Sequence, residues 1–120
     1  MRILLDTDAF IWWDDESREL VEPLRQAISD PANDIYVSAA SIWENAIKRR
    51  RGRLAFAGSV VETVLKNGFA ALPMTAVHAE RAGDLAPHHR DPFDRMLIAQ
   101  TIVENMTLGT QDKPCAPTAS

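Results

Sequence analysis

Four short apolar runs are spaced along the chain: RILL at 2–5, DIYVS at 34–38, FAALPM at 69–74 and MTLGT at 106–110. Between them stand stretches whose apolar residues recur at helical spacing, and strands that alternate with helices argue for a parallel sheet covered on both faces. DAFIWWDD reads as a short helical turn and SRELVEPLRQAISD as an amphipathic helix that Pro23 bends or delays, because its ring blocks the preceding helical turn. SAASIWENAIKRRRG closes on basic residues and Gly52 as helix C-termini do. GSVVETVLKNG stops at Gly68, and TAVHAERAGDLA follows the third strand. The last helix, DPFDRMLIAQTIVEN, carries apolar residues at Phe93, Met96, Leu97, Ile98, Ala99, Ile102 and Val103, which predicts burial on most sides.

A chain of 120 residues is one domain by length and buries a core without metal or disulfide staples. Cys115 has no partner, so nothing points to an oxidising compartment, and the short apolar start interrupted by Asp6 and Asp8 fits neither a signal peptide nor a membrane span. The expectation is a cytoplasmic protein with no membrane association. A formal net charge of -4 counts against nucleic acid as a partner when taken alone. Charge is nonetheless segregated: KRRRGR at 48–53 holds five of the 13 Lys and Arg residues. Such a run is either the solvated end of a helix or a cationic face. The closing QDKPCAPTAS has no apolar alternation and reads as unstructured, which divides the chain into a domain over 1–112 and a tail over 113–120.

Asp6 ends the first strand, Glu44 is expected in the first turn of the helix after the second, Asp94 in the first turn of the buried helix, and Asp112 follows the last strand. Parallel sheets build their sites at the carboxyl ends of their strands, so the four acids are expected along one crevice. Each has a plain structural reading as well. Asp91-Pro92-Phe93-Asp94 fits an N-cap, a proline at the first helical position and an acid at the third; Ser41-Ile42-Trp43-Glu44 fits a capping box; Asp6 and Asp112 fit turn aspartates. Caps have no reason to gather at one edge, however, and clustered carboxylates repel unless a cation or a proton joins them. All-oxygen donors suit Mg2+ or Mn2+, whose chemistry favours phosphoryl substrates. No Gly-rich phosphate loop is present, and His78, His88 and His89 lack zinc-ligand spacing and are read as ordinary surface residues.

MRILLDTDAFIWW, VSAASIWENAIK, HHRDPFDRMLIAQT and TLGTQD, in that order, resemble the successive motifs of PIN-domain ribonucleases, nearest to the VapC toxins of bacterial toxin-antitoxin pairs. The resemblance spans residues 1 to 112. It implies a three-layer α/β/α sandwich with a central parallel sheet, Mg2+- or Mn2+-dependent endoribonuclease activity, a homodimer, and neutralisation by a cognate VapB-type antitoxin. It places Asp6, Glu44, Asp94 and Asp112 as the four catalytic, metal-holding acids; Asp91 is read beside them as capping the helix and orienting either Asp94 or a metal-bound water. Thr7, Ser38 and Thr110 adjoin the acids as hydrogen-bonding neighbours. The chain departs from the family at Asp8, where such toxins often have His or Asn. It departs again after Asp112, where DKPCAPTAS replaces a final strand, so that a final edge strand is missing and activity is weakened or lost.

Lys48 stands four residues after Glu44 and either pairs with it or meets RNA phosphate. Arg49, Arg50, Arg51 and Arg53 are candidate contacts to the RNA backbone. Arg95 is read as a first-turn surface residue with phosphate contact as the alternative. Trp12, Trp13 and Trp43 either pack or stack bases. Two other classes compete with the nuclease: a catalytically degenerate PIN domain that acts as an antitoxin-binding module, and a carboxylate-metal phosphatase or receiver-like protein.

Overall fold

The computed structural model describes residues 1–52, 58–87 and 91–111. In chain order the elements are β1 (Arg2–Leu5), α1 (Thr7–Asp14), α2 (Leu24–Ser29), β2 (Asp34–Ser38) and α3 (Ala39–Arg50). Then come α4 (Val60–Lys66), β3 (Ala70–Leu72), α5 (Ala76–Gly83), α6 (Pro92–Glu104) and β4 (Thr107–Gly109). Among the described residues, no helix is long and apolar enough to cross a membrane. The four strands form one parallel sheet in the order β3-β2-β1-β4, the α/β arrangement that the alternating sequence predicts. Pro23 delays its helix rather than bending it: α2 begins at Leu24, with Pro23 as the N-cap.

Register assigns the two faces. Successive side chains of a strand point to opposite sides, and Ile3 and Leu5 pair with Ile35 and Val37 while Leu4 pairs with Tyr36 and Leu108. Ile3, Leu5, Ile35 and Val37 accordingly pack with Phe10, Leu24, Ile28 and Val64 on the side of α1, α2 and α4. Leu4 and Leu108 pack with Ala82, Leu97, Ile98 and Ala99 from α5 and α6 on the other. Three layers result, as the sequence implied.

Gly109 is fixed by crowding. A Cβ built there would stand 2.8 Å from Ile3 Cγ2 and 2.9 Å from Leu5 Cδ2, closer than any real methyl sits. Asn105 takes the left-handed conformation at the end of α6 (φ 55, ψ 51), which its short polar side chain tolerates, and turns the chain sharply into β4.

One histidine departs from expectation. His78 is 1% exposed, and its ring is spent on structure. Its Nδ1 accepts the Thr75 backbone N–H at 3.0 Å, completing a capping box with the Thr75 hydroxyl, so Nε2 carries the proton that reaches Glu104 Oε2 at 2.8 Å. Gln100 reaches the same ring and the Pro73 carbonyl, both at 3.3 Å. These bonds lock the start of α5 onto α6. His88 and His89 lie outside the described residues.

Candidate functional site

Leu5 is in register with Val37 on one side and Gly109 on the other, so β1, β2 and β4 end side by side. Asp6 follows at once. Its extended backbone (φ -74, ψ 169) makes it the N-cap of α1, with its carboxylate accepting the Ala9 N–H at 2.7 Å while its own N–H donates to the Gly109 carbonyl at 3.0 Å. The first acid is thus held between the helix it starts and the strand that ends beside it.

The second acid sits deeper in its helix than the sequence suggested. Ser38, the last residue of β2, is the N-cap of α3 and accepts the Ala40 N–H at 3.0 Å, so the strand passes straight into the helix. Glu44 therefore lies in the second turn, and the Ser41-to-Glu44 capping box does not form. Ser41, fully buried, shares a face with Glu44 instead, and both turn to α1. Thr7 Oγ1 stands 2.7 Å from Glu44 Oε1 and 3.0 Å from Ser41 Oγ. A carboxylate only accepts, so the Thr7 proton goes to Glu44 and the Ser41 hydroxyl is free to serve Thr7. Lys48 Nζ lies 3.4 Å from Glu44 Oε2, so the i,i+4 pair is made and offsets one charge at this edge.

The third acid comes in on α6. Asp91 caps this helix as the sequence predicts, accepting Phe93 N–H at 2.8 Å and Asp94 N–H at 3.3 Å, with Pro92 in the first position. The Phe93 ring meets that of Trp43 edge-on, centroids 5.3 Å apart at 71°. Glu44 follows Trp43 and Asp94 follows Phe93 in sequence, so this ring contact joins the helices that carry the second and third acids. Asp112 and Arg53 lie outside the described residues; Thr110 and Gln111 carry the chain up to Asp112.

Donors at this edge are oxygens, the right chemistry for a hard divalent cation. Among the described residues, no three acidic, histidine or cysteine side chains converge on one point. Asp6, Glu44 and Asp94 thus supply the donor type without closing a cage by themselves.

The model of the PIN domain family matches residues 3–116. The chain belongs to the PIN domain family. In fold the PIN domain is similar to a chain of VapBC2 from Rickettsia felis, solved bound to a DNA fragment from their promoter. That likeness has a TM-score of 0.62 at 15% identity and covers 93% of this chain and 88% of that one. It is similar also to a chain of FitAcB from Neisseria gonorrhoeae, with a TM-score of 0.54 at 18% identity over 94% of this chain and 89% of that one. No curated protein matches it in sequence.

Three side chains near these elements of the PIN domain stand out in their surroundings. Arg95 is neither a free surface group nor aimed at phosphate: its guanidinium donates to the carbonyls of Ala82 at 2.7 Å, Leu85 at 3.0 Å and Ala86 at 3.1 Å, closing the C-terminal end of α5. Asn45, next to Glu44, is 0% exposed, and neither atom of its amide has a hydrogen-bond partner among the described residues. The tryptophans divide. Trp12 and Trp13 pack against the core, whereas Trp43 stands 58% exposed beside the acids. Only the helical position of Trp43, well away from the buried Ser41 and Asn45 stripe, hints at this in the sequence.

Proposed function

We propose that this PIN domain is an endoribonuclease toxin of VapC type, cleaving RNA phosphodiesters with a Mg2+- or Mn2+-activated water and restrained by a VapB-type antitoxin. PIN domains are generally nucleases that use divalent metals, which supports the reaction class. The observation that carries the reading is the Thr7–Glu44 bond, for it ties Glu44 of α3 to the residue that follows Asp6.

Asp6, Glu44, Asp94 and Asp112 are the residues that would hold the ion, which when bound acidifies a water and screens charge on the phosphate. The remaining work belongs to the chain. Thr7 fixes the rotamer of Glu44, Lys48 moderates repulsion among the acids, and Asp91 sets the first turn of α6 and with it the backbone of Asp94. Ser38 caps α3 at the end of β2, and Thr110 follows the end of β4. Arg50 and Arg51, exposed at the end of α3, are the described cations best placed for RNA phosphates, with Arg49 and Lys48 already engaged and Arg53 beside them in sequence. The similar chains come from VapBC2 and FitAcB, which favours a partner protein; a homodimer working in the cytoplasm completes the proposal.

A second reading is a degenerate PIN domain that binds its antitoxin and cuts nothing. It is favoured by the open arrangement of the three described acids. A fluorescent-RNA cleavage assay with Mg2+, Mn2+ or EDTA, run beside Asp94→Asn of verified fold, decides between them. Cleavage that needs both metal and Asp94 establishes the nuclease; no cleavage by a folded protein that still binds a partner establishes the second reading.

A further inference from the structure

Trp43 is exposed where a tryptophan gains least from exposure. Its two counterparts rest on the core, Trp13 with its ring 6.3 Å from that of Phe69. Trp43 instead leaves 58% of its surface to solvent and touches Phe93 edge-on. An edge-to-face pair leaves at least one ring face uncovered by its mate. Both rings immediately precede an acid in sequence, Trp43 before Glu44 and Phe93 before Asp94, and neighbouring residues of a helix stand about 100° apart. The pair therefore flanks the acids rather than filling the space between them.

Trp43 has company along α3. Arg50, seven residues on, shares its face of the helix, about 10 Å further along the axis by the rise per residue. Lys48 is held by Glu44, and Arg49 donates to the Gly58 carbonyl. Arg50 is exposed. An exposed aromatic ring and a cation thus follow one another along one face of α3, with Glu44 next to the ring in sequence.

We propose that Trp43, steadied by Phe93, is a stacking platform for one unpaired base of the RNA, seated beside the scissile phosphate, with the strand continuing over Arg50. This rests on the nuclease reading above and adds to it the residue that selects the substrate. Stacking on a protein ring requires a base that is free of its duplex neighbours, whereas any base offers a ring face. The platform therefore favours single strands and loops over duplex, with little dependence on base identity.

The test is RNA binding in an Asp94→Asn background with Mg2+ present, read by fluorescence anisotropy. Probes are a short fluorescein-labelled oligoribonucleotide and the same strand annealed to its complement. Trp43→Ala is expected to weaken the single strand about tenfold or more, the scale of base–aromatic stacking, leave the duplex unchanged, and be largely rescued by Trp43→Phe. Circular dichroism confirms the fold of each variant. An unchanged single-strand affinity in Trp43→Ala overturns the platform, as does a parent protein that prefers duplex. A Trp43→Ala change confined to the monomer–dimer equilibrium also overturns it, and reassigns the pair to contact with a second copy. If the active chain cleaves RNA while Trp43→Ala leaves KM unchanged, the platform falls and the nuclease stands. If the parent neither binds nor cleaves RNA, both fall.

Discussion

Thr7 Oγ1 lies 2.7 Å from Glu44 Oε1, a hydroxyl in the first turn of α1 reaching a carboxylate 37 positions away on α3. This bond crosses from the start of α1 to the helix after β2, and it ties Glu44 to the residue beside Asp6. Thr7→Val keeps the shape and removes the donor. It is expected to cost about 1.5–3 kcal/mol of stability, the range for a bond to a charged group. It should also lower metal-dependent cleavage by about 10–100-fold, as losses of groups that orient metal ligands do. Urea unfolding beside initial-rate assays checks both; full activity in a destabilised variant would make Thr7 a packing residue only.

Arg95 predicts stability without activity. Its guanidinium serves carbonyls of Ala82, Leu85 and Ala86 at the end of α5. Arg95→Ala should cost about 2–3 kcal/mol, since several carbonyls lose a charged donor together. Arg95→Lys should recover only part, because one ammonium does not reproduce a planar fork. Melting curves measure this. Salt dependence of RNA binding should not move in the folded Lys variant; a reduced slope would show that Arg95 meets phosphate.

Asn45 makes a prediction of opposite sign. A buried amide costs stability when it goes unpaired, as that of Asn45 does among the described residues, so Asn45→Leu, similar in size and apolar, is expected to raise it by about 1–3 kcal/mol. Chemical denaturation reads the change. A loss of stability would mean that the amide holds a buried water.

Two glycines should respond in opposite directions to the same change. At Gly109 a methyl group collides with Ile3 and Leu5, and Gly109→Ala should cost about 1–3 kcal/mol through overpacking. At Gly83, in the last turn of α5, a Cβ meets nothing within 4 Å, and Gly83→Ala should gain about 0.5–1 kcal/mol from the stiffer unfolded chain. Equal effects at the two sites would contradict the placement of β4 against β1.

The fold was legible because its signals are local. Short apolar runs, Gly68 after α4 and the Asp91-Pro92 start of α6 each announce an element from within a few residues. The place of Asp94 in the first turn of α6 was legible for the same reason, whereas Asp112 lies outside the described residues. What escaped was decided by distant partners. Two serines, Ser38 and Ser41, both suit an N-cap, and the strand end selects the first while Thr7 claims the second. His78 occupies a capping-box position, but its burial depends on Glu104 and Gln100 of another helix. Arg95 resembles any first-turn cation until the end of α5 is brought against it. Beyond the helical position of Trp43 opposite Ser41 and Asn45, what separates it from Trp12 and Trp13 is the packing of α1 against the core.

The strand order carries a consequence for synthesis. β1 is made first yet lies inside the sheet, between β2 and β4, and β4 is among the last described elements to be made. Until residues 107–109 leave the ribosome, β1 has one bare edge and the Asp6 N–H lacks the Gly109 carbonyl that receives it. The pairing that closes this edge is also the most distant in the sheet, so it is slow to find. A nascent chain can therefore build β1, β2 and α3 while the Asp6 N–H is still unanchored, and β1 gains its second neighbour only after β4 has been made.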